Sequence, residues 1–182
     1  MKSVARLALL SGCAALVSAA NITLPGCGNP ANAVPFYRSF NAADVDHWYT
    51  PDVGQINYFN PVGFALQGVT GRVFLTQESG TTPFYRLYNY ALMDNFYTIS
   101  PSEKAAAESN GYVTDATSSP VSYIYPTQVC GSIPLYRLYH SSKHDNFYTT
   151  SDVERSQAVA NDGYDFVEIA GYILPLGCAA PA

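Results

Sequence analysis

Pro83-Phe84-Tyr85-Arg86-Leu87-Tyr88-Asn89, answered by Asp94-Asn95-Phe96-Tyr97-Thr98, is a pattern this chain carries three times. The first copy runs Pro35-Phe36-Tyr37-Arg38-Ser39-Phe40-Asn41 to Asp46-His47-Trp48-Tyr49-Thr50, and the third Pro134-Leu135-Tyr136-Arg137-Leu138-Tyr139-His140 to Asp145-Asn146-Phe147-Tyr148-Thr149. Proline and aspartate lie 11 positions apart in every copy, so the three align without a gap. Both halves are short, aromatic-rich and bounded by turn formers, which predicts a two-stranded hairpin in each unit. Repetition at a fixed period implies one supersecondary unit copied, with each copy relying on its neighbours to cover its apolar face.

A helix follows in units two and three. Ser100-Pro101-Ser102-Glu103 reads as a capping box with proline at the first helical position, and Gly111 as the stop. Ser151-Asp152-Val153-Glu154 and Gly163 repeat the arrangement. Unit one has Thr50-Pro51-Asp52 instead, but Gly54 and Pro61 predict a frayed or single-turn helix there. Gly63-Phe64, Gly111-Tyr112 and Gly163-Tyr164 then open a third strand, and Arg72 to Leu75, Val121 to Tyr125 and Ala170 to Leu174 supply a fourth. The expected fold is mainly β with short helices, built from three pseudo-symmetric repeats over 35–82, 83–133 and 134–178. A trefoil-like closure is favoured over a small propeller, because three blades strain a propeller.

Residues 1–19 read as a secretory signal peptide: Lys2 and Arg6 precede an apolar run to Val17 and small residues at the cleavage site. Residues 20–182 then form one domain, secreted and extracellular. Without Lys2 and Arg6, seven basic residues face fourteen acidic ones. That balance argues against a nucleic-acid partner and against an anionic membrane surface. Asn21-Ile22-Thr23 is a glycosylation sequon. Of the four cysteines, Cys13 leaves with the leader, so Cys27, Cys130 and Cys178 imply one disulfide and one thiol. Cys130 and Cys178 occupy near-equivalent places in two units. Cys27–Cys178, joining the start of the structure to its end, is therefore favoured, with Cys27–Cys130 the alternative.

The motif Tyr-Arg-Leu-Tyr, then Asp-Asn-Phe-Tyr-Thr, a short helix and Gly-Tyr, resembles a secreted repeat family of unknown function found in fungi and bacteria, where copies are often joined to secreted hydrolases. The resemblance covers residues 35 to about 175. Copy one departs from it at Phe40 and Trp48. The family brings no catalytic residues, and by analogy it implies a wall- or sugar-binding accessory module.

Arg38 with Asp46, Arg86 with Asp94 and Arg137 with Asp145 can face one another across the hairpins, either as structural ion pairs or as polar clamps for a sugar. Tyr37, Tyr85 and Tyr136, like Tyr49, Tyr97 and Tyr148, fall at strand positions where cores are built, and Trp48 takes the slot of Phe96 and Phe147. The hairpin loops differ among copies, and His140, Lys143 and His144 make the Ser141 to His144 loop the most polar. His47, His140 and His144 form no metal-ligand motif, and no cofactor is implied. No nucleophile elbow or phosphate loop is present. The functional expectation is a non-enzymatic, lectin-like module that recognises an extracellular or cell-wall glycan. A protein-binding inhibitor or effector is the alternative, and a glycoside hydrolase using Asp44, Asp52 or Glu78 the third reading.

Overall fold

The computed structural model describes residues 26–114 and 120–177. The expected leader, Asn21 and Cys178 lie outside the described residues. Each unit opens with its hairpin: β1 (Ala33–Asn41) with β2 (Asp46–Thr50), β4 (Thr82–Asn89) with β5 (Asp94–Thr98), and β8 (Ile133–His140) with β9 (Asp145–Thr149). The hairpins pair in one register, Asn41 opposite Asp46, Asn89 opposite Asp94 and His140 opposite Asp145. Asn41 and Asn89 shape their loops by accepting the amides of Ala43 and Ala91, both at 3.0 Å.

The helices follow as expected, with two differences. α2 (Pro101–Ser109) and α3 (Asp152–Asn161) are capped by Ser100 and Ser151, whose hydroxyls accept from the amides of Glu103 and Glu154. The reciprocal half of the capping box does not form. Thr98 and Thr149 take the serine amides instead, each at 3.0 Å, which frees both glutamates to reach elsewhere. α1 (Val53–Phe59) is longer than a single turn, because Asp52 caps the amide of Gly54 at 2.7 Å. A 3-10 turn over Asn60–Val62 extends it and ends at Gly63, whose φ of 108° favours glycine.

The third and fourth strands expected in each unit are one strand in two of them. β3 (Phe64–Phe74) pairs with β1 along its length, and β10 (Asp165–Ile173) with β8. Two register shifts in each pairing bend the long strand around the hairpin without breaking the ladder. In unit two, β6 (Val113–Thr114) and β7 (Ser122–Ile124) pair separately with β4.

The sheets are mainly antiparallel ribbons and they are open. One runs β2-β1-β3-β7-β4-β5 with β6 on β4, the other β10-β8-β9. The continuous ladders therefore do not close on themselves; the backbone bridges Arg72–Leu174 and Tyr125–Tyr172 tie the two sheets together, and a cycle of side-chain bonds joins all three units at the centre. The hydroxyl of Tyr97 accepts the amide of Tyr49 and donates to its carbonyl, both at 2.8 Å. Tyr148 does the same to Tyr97, at 2.9 and 2.7 Å, and Tyr49 to Tyr148, at 2.8 and 2.7 Å. The cycle returns to its start. The three rings meet edge to face at centroid distances of 5.5, 5.6 and 5.5 Å, an arrangement favoured by the aromatic quadrupole. Around them pack Phe36, Phe84, Leu135, Val73, Ile124 and Ile173. Tyr37, Tyr85 and Tyr136, also expected in the core, are only half-buried, because they fall on the other face of the same strands.

The disulfide joins Cys27 to Cys130, not Cys27 to Cys178. The approach of the leading segment explains the pairing. The Gly28 amide donates to the Tyr125 hydroxyl at 3.0 Å, and Glu78 accepts from the Asn29 amide and the Asn32 side chain. Those bonds lay the segment across the end of unit two, beside Cys130.

Removing one hydroxyl from the tyrosine cycle strands a buried amide and a buried carbonyl together. Tyr97→Phe is expected to destabilise the protein by about 1–3 kcal/mol. Tyr49→Phe and Tyr148→Phe should each cost about as much, measured by urea denaturation.

Candidate functional site

The hairpin register separates the repeated arginine and aspartate. Arg86 sits opposite Tyr97 while Asp94 sits opposite Asn89, three positions further along. An odd offset puts the two side chains on opposite faces of the hairpin, so the expected pairs within one unit do not form. The aspartates instead bind neighbouring units, while the arginines bond acceptors of their own or an adjacent unit and stack on a neighbouring unit's ring, in two separate layers.

The aspartates form the inner layer. Asp46 accepts from the backbone and side-chain nitrogens of Asn95 at 3.1 and 2.7 Å. Asp94 accepts from Asn146 at 3.0 and 2.7 Å. Asp145 accepts from the His47 amide at 2.8 Å and pairs with its ring Nδ1 at 2.6 Å. Each unit thus grips the next, and the cycle closes. All three aspartates are buried, and one carboxylate oxygen from each lies within 4.8 Å of the others. Among the described residues this is the group spaced to hold a metal ion, but its oxygens already accept hydrogen bonds from the neighbouring hairpins.

One copy difference tunes the layer. The Tyr112 hydroxyl donates to Asp94 at 2.5 Å, and the Tyr164 hydroxyl donates to Asp145. Phe64 holds the matching position in unit one and has no hydroxyl to give. Burial pushes Asp46 up to about 8; the Asn95 amide opposes the shift, and the Asp94 and Asp145 charges add to it. Burial lifts Asp94 only to about 6, because Tyr112 and Asn146 stabilise its charge.

The arginines form an outer layer in clefts between units. Arg38 makes a two-point bond to Glu154 at 3.0 and 2.8 Å, and Arg137 reaches Glu103 at 2.7 Å and Glu168 at 3.1 Å. Arg86 donates from Nε to Asn95 at 2.8 Å, and the place of Glu103 and Glu154 is held by Gln55. Each guanidinium also lies over an aromatic ring of the preceding unit: Arg38 over Phe147 at 5.1 Å, Arg86 over Trp48 at 5.8 Å, and Arg137 over Phe96 at 4.5 Å. Beside these contacts open cavities of about 210, 390 and 270 Å³ at the boundaries of units two and three, three and one, and one and two, and a smaller one of about 160 Å³ also lies between units three and one, beside Arg38, Thr70 and Thr150.

The residues singled out from the sequence thus divide. Arg38, Arg86, Arg137 and Trp48 line clefts; Asp46, Asp94 and Asp145 are sealed beneath them. His140 and His144 do not converge. His140 packs on Tyr164 at 5.1 Å, and Nδ1 of His144 lies 3.1 Å from the Tyr139 hydroxyl. Phe59, Phe64, Tyr88, Tyr90, Glu103 and Glu154 line clefts without having been singled out as ligand-binding. The one signal available for the acids was their fixed distance from Thr98 and Thr149, whose hydroxyls bond them.

The fold and its clefts define a mainly β scaffold with recurring inter-unit cavities. The family comparison is specific: a model of a domain of unknown function, DUF5648, matches residues 35–174, and the chain belongs to that family. No curated protein and no solved structure matches it.

The aspartate layer predicts an inverted pH dependence. Asp46 and Asp94 both carry folded values above the unfolded carboxylate value, so the native state binds more protons than the unfolded chain. Their contribution is largest near pH 4 and falls as the pH rises to about 8. The melting temperature should fall between pH 5 and 8, and Asp46→Asn should flatten that slope. Phe64→Tyr, supplying the missing hydroxyl, should stabilise the protein at pH 8 by about 1 kcal/mol.

Proposed function

We propose that this protein is a secreted, non-enzymatic module that binds an extracellular or cell-wall glycan. Its three units, arranged like a trefoil about a pseudo-threefold axis, offer weak subsites in the clefts between them. The supporting observation is the recurrence, at all three boundaries, of a small cavity with an aromatic wall and an arginine at its side. Sugar rings present apolar C–H faces and a rim of hydroxyls, and aromatic rings beside planar, multi-donor side chains complement both. The cavities lie around the lower end of the range for small-molecule sites, about 300 Å³, which suits one sugar ring better than a larger ligand. Several such sites on one body gain avidity on a polymer that offers the same ring repeatedly.

Pull-down on insoluble chitin, glucans, mannans and peptidoglycan, with a glycan array alongside, tests the reading. Retention on at least one polymer, competed by its soluble oligomer, is expected. Clean negatives across both formats would remove it.

A further inference from the structure

The three clefts are built to one plan but differ at single copy positions. Between units three and one, the cavity of about 390 Å³ has a floor of four rings in a row: Phe40, His47, Phe147 and Tyr164. Neighbouring rings lie 4.5, 4.7 and 5.6 Å apart, so the row runs unbroken from one unit into the other. His47 completes it. Asn95 and Asn146 hold the same place in the other two clefts, where an amide interrupts the aromatic surface. The floor is also fixed from below, because buried Asp145 binds Nδ1 of His47 at 2.6 Å and accepts from the Tyr164 hydroxyl.

The rim adds a charge that the equivalent position of unit two lacks. Asp162 lines this cavity at the carboxyl-terminal end of α3, whereas Asn110, at the same end of α2, lines the cleft between units two and three. A carboxylate at a helix C-terminus opposes the macrodipole, and the last turn of α3 carries no basic residue to offset it. Asp162 makes no ion pair among the described residues, and Arg38, the cation of the cleft, is taken by both oxygens of Glu154. With Arg38 set against Glu154, Asp162 is the carboxylate left over, and it stands where it opposes the stability of its own helix. The chain as a whole is acidic, with a net charge of −5, so its field attracts cations over distance. A second cavity, of about 160 Å³, shares Arg38, Gln67 and Glu154 with the first and continues the groove past Thr70, Thr150 and Ser151.

We infer that this cleft is the principal ligand site, and that it takes a segment of at least two pyranose rings bearing protonated amines. The apolar face of one ring rests on the aromatic row, of which half-buried Phe40 is the most open member. Its ammonium group meets Asp162, and the exposed side chains of Gln67 and Gln157 serve its hydroxyls. The next ring follows the groove into the smaller cavity, among the threonine hydroxyls. A neutral ring of the same shape fills the cleft but leaves Asp162 unanswered and binds more weakly, and a ring bearing a carboxylate is repelled. This assignment rests on the glycan-binding reading and sharpens it.

Soluble β-linked oligomers of glucosamine, N-acetylglucosamine and glucose share one backbone and differ only in the group beside the anomeric carbon, and oligogalacturonides add the anionic case. Each is titrated calorimetrically into the full protein at a pH where the amine is protonated. The glucosamine series is expected to bind roughly tenfold more tightly than the two neutral ones, equivalent to ~1.4 kcal/mol, with oligogalacturonides weakest. Its dimer should bind roughly tenfold more tightly than its monomer. Asp162→Asn should bring the glucosamine series down to the neutral ones, with the melting temperature unchanged or raised because the helix end loses an unfavourable charge. Glu108→Gln, which removes the same charge from the exposed face of α2 and lines none of the clefts, should bind as wild type. Equal affinity for the amine and neutral series would overturn the aminosugar assignment. Equal weakening by Glu108→Gln and Asp162→Asn would overturn it too, as diffuse attraction alone. Amine selectivity untouched by Asp162→Asn would overturn the choice of cleft while leaving glycan binding standing, and equal affinity of monomer and dimer would overturn the two-ring span. Failure of every glycan, in solution and on insoluble polymers, would remove both readings.

Discussion

Each central tyrosine hydroxyl sits on the backbone amide and carbonyl of the next central tyrosine, and the rest of the molecule is arranged to keep that cycle intact. The sheets are open as continuous ladders, and short backbone bridges complete the circuit between them. The hydroxyls of Tyr49, Tyr97 and Tyr148 close the centre, each acting as donor and acceptor at once. Burial pushes all three phenols upward, so none ionises under ordinary conditions. In a dry interior such bonds are strong and their loss is costly. The same dryness excludes water as a substitute partner.

Two further cycles reinforce the tyrosines. The aspartates grip the asparagine or histidine of the following hairpin. Elsewhere, the bridges Phe74–Tyr123, Tyr125–Tyr172 and Arg72–Leu174 link the last strand segments of the three units in turn. The aspartate layer works against itself electrostatically, because three carboxylates are brought together under cover. Donors from Asn95, Asn146, His47, Tyr112 and Tyr164 offset that repulsion unevenly, and Asp46 is left the least supported. Stability and charge are thereby coupled in the most deeply buried polar part of the fold.

Copy-to-copy differences matter most where one unit meets the next. Phe64 for tyrosine withdraws a hydroxyl from Asp46 and adds an apolar wall to a cleft. Gln55 for glutamate removes a carboxylate from the same boundary, and Trp48 for phenylalanine enlarges its aromatic surface. These substitutions leave the hairpin register untouched. A repeated scaffold thus acquires clefts of different chemistry through a few side chains at its boundaries.

The three aromatic hairpins, the serine-capped helices and the glycine stops were legible because each is a local matter of alternation, turn chemistry and capping. The β-rich class followed from them, and so did the burial of Tyr49, Tyr97 and Tyr148. The partners of the repeated polar residues were not legible. Arg86 and Asp94 look like a pair along the chain, but a register offset of three places them on opposite faces, so that Asp94 bonds Asn146 of unit three while Arg86 bonds Asn95 and stacks on Trp48 of unit one. The Cys27–Cys130 bridge depended on a segment held by Tyr125 and Glu78, residues distant in sequence. The clefts likewise have walls drawn from two units. Sequence spacing determines which residues share a face within a unit. Which unit those faces meet is decided only when three copies pack around the tyrosine cycle.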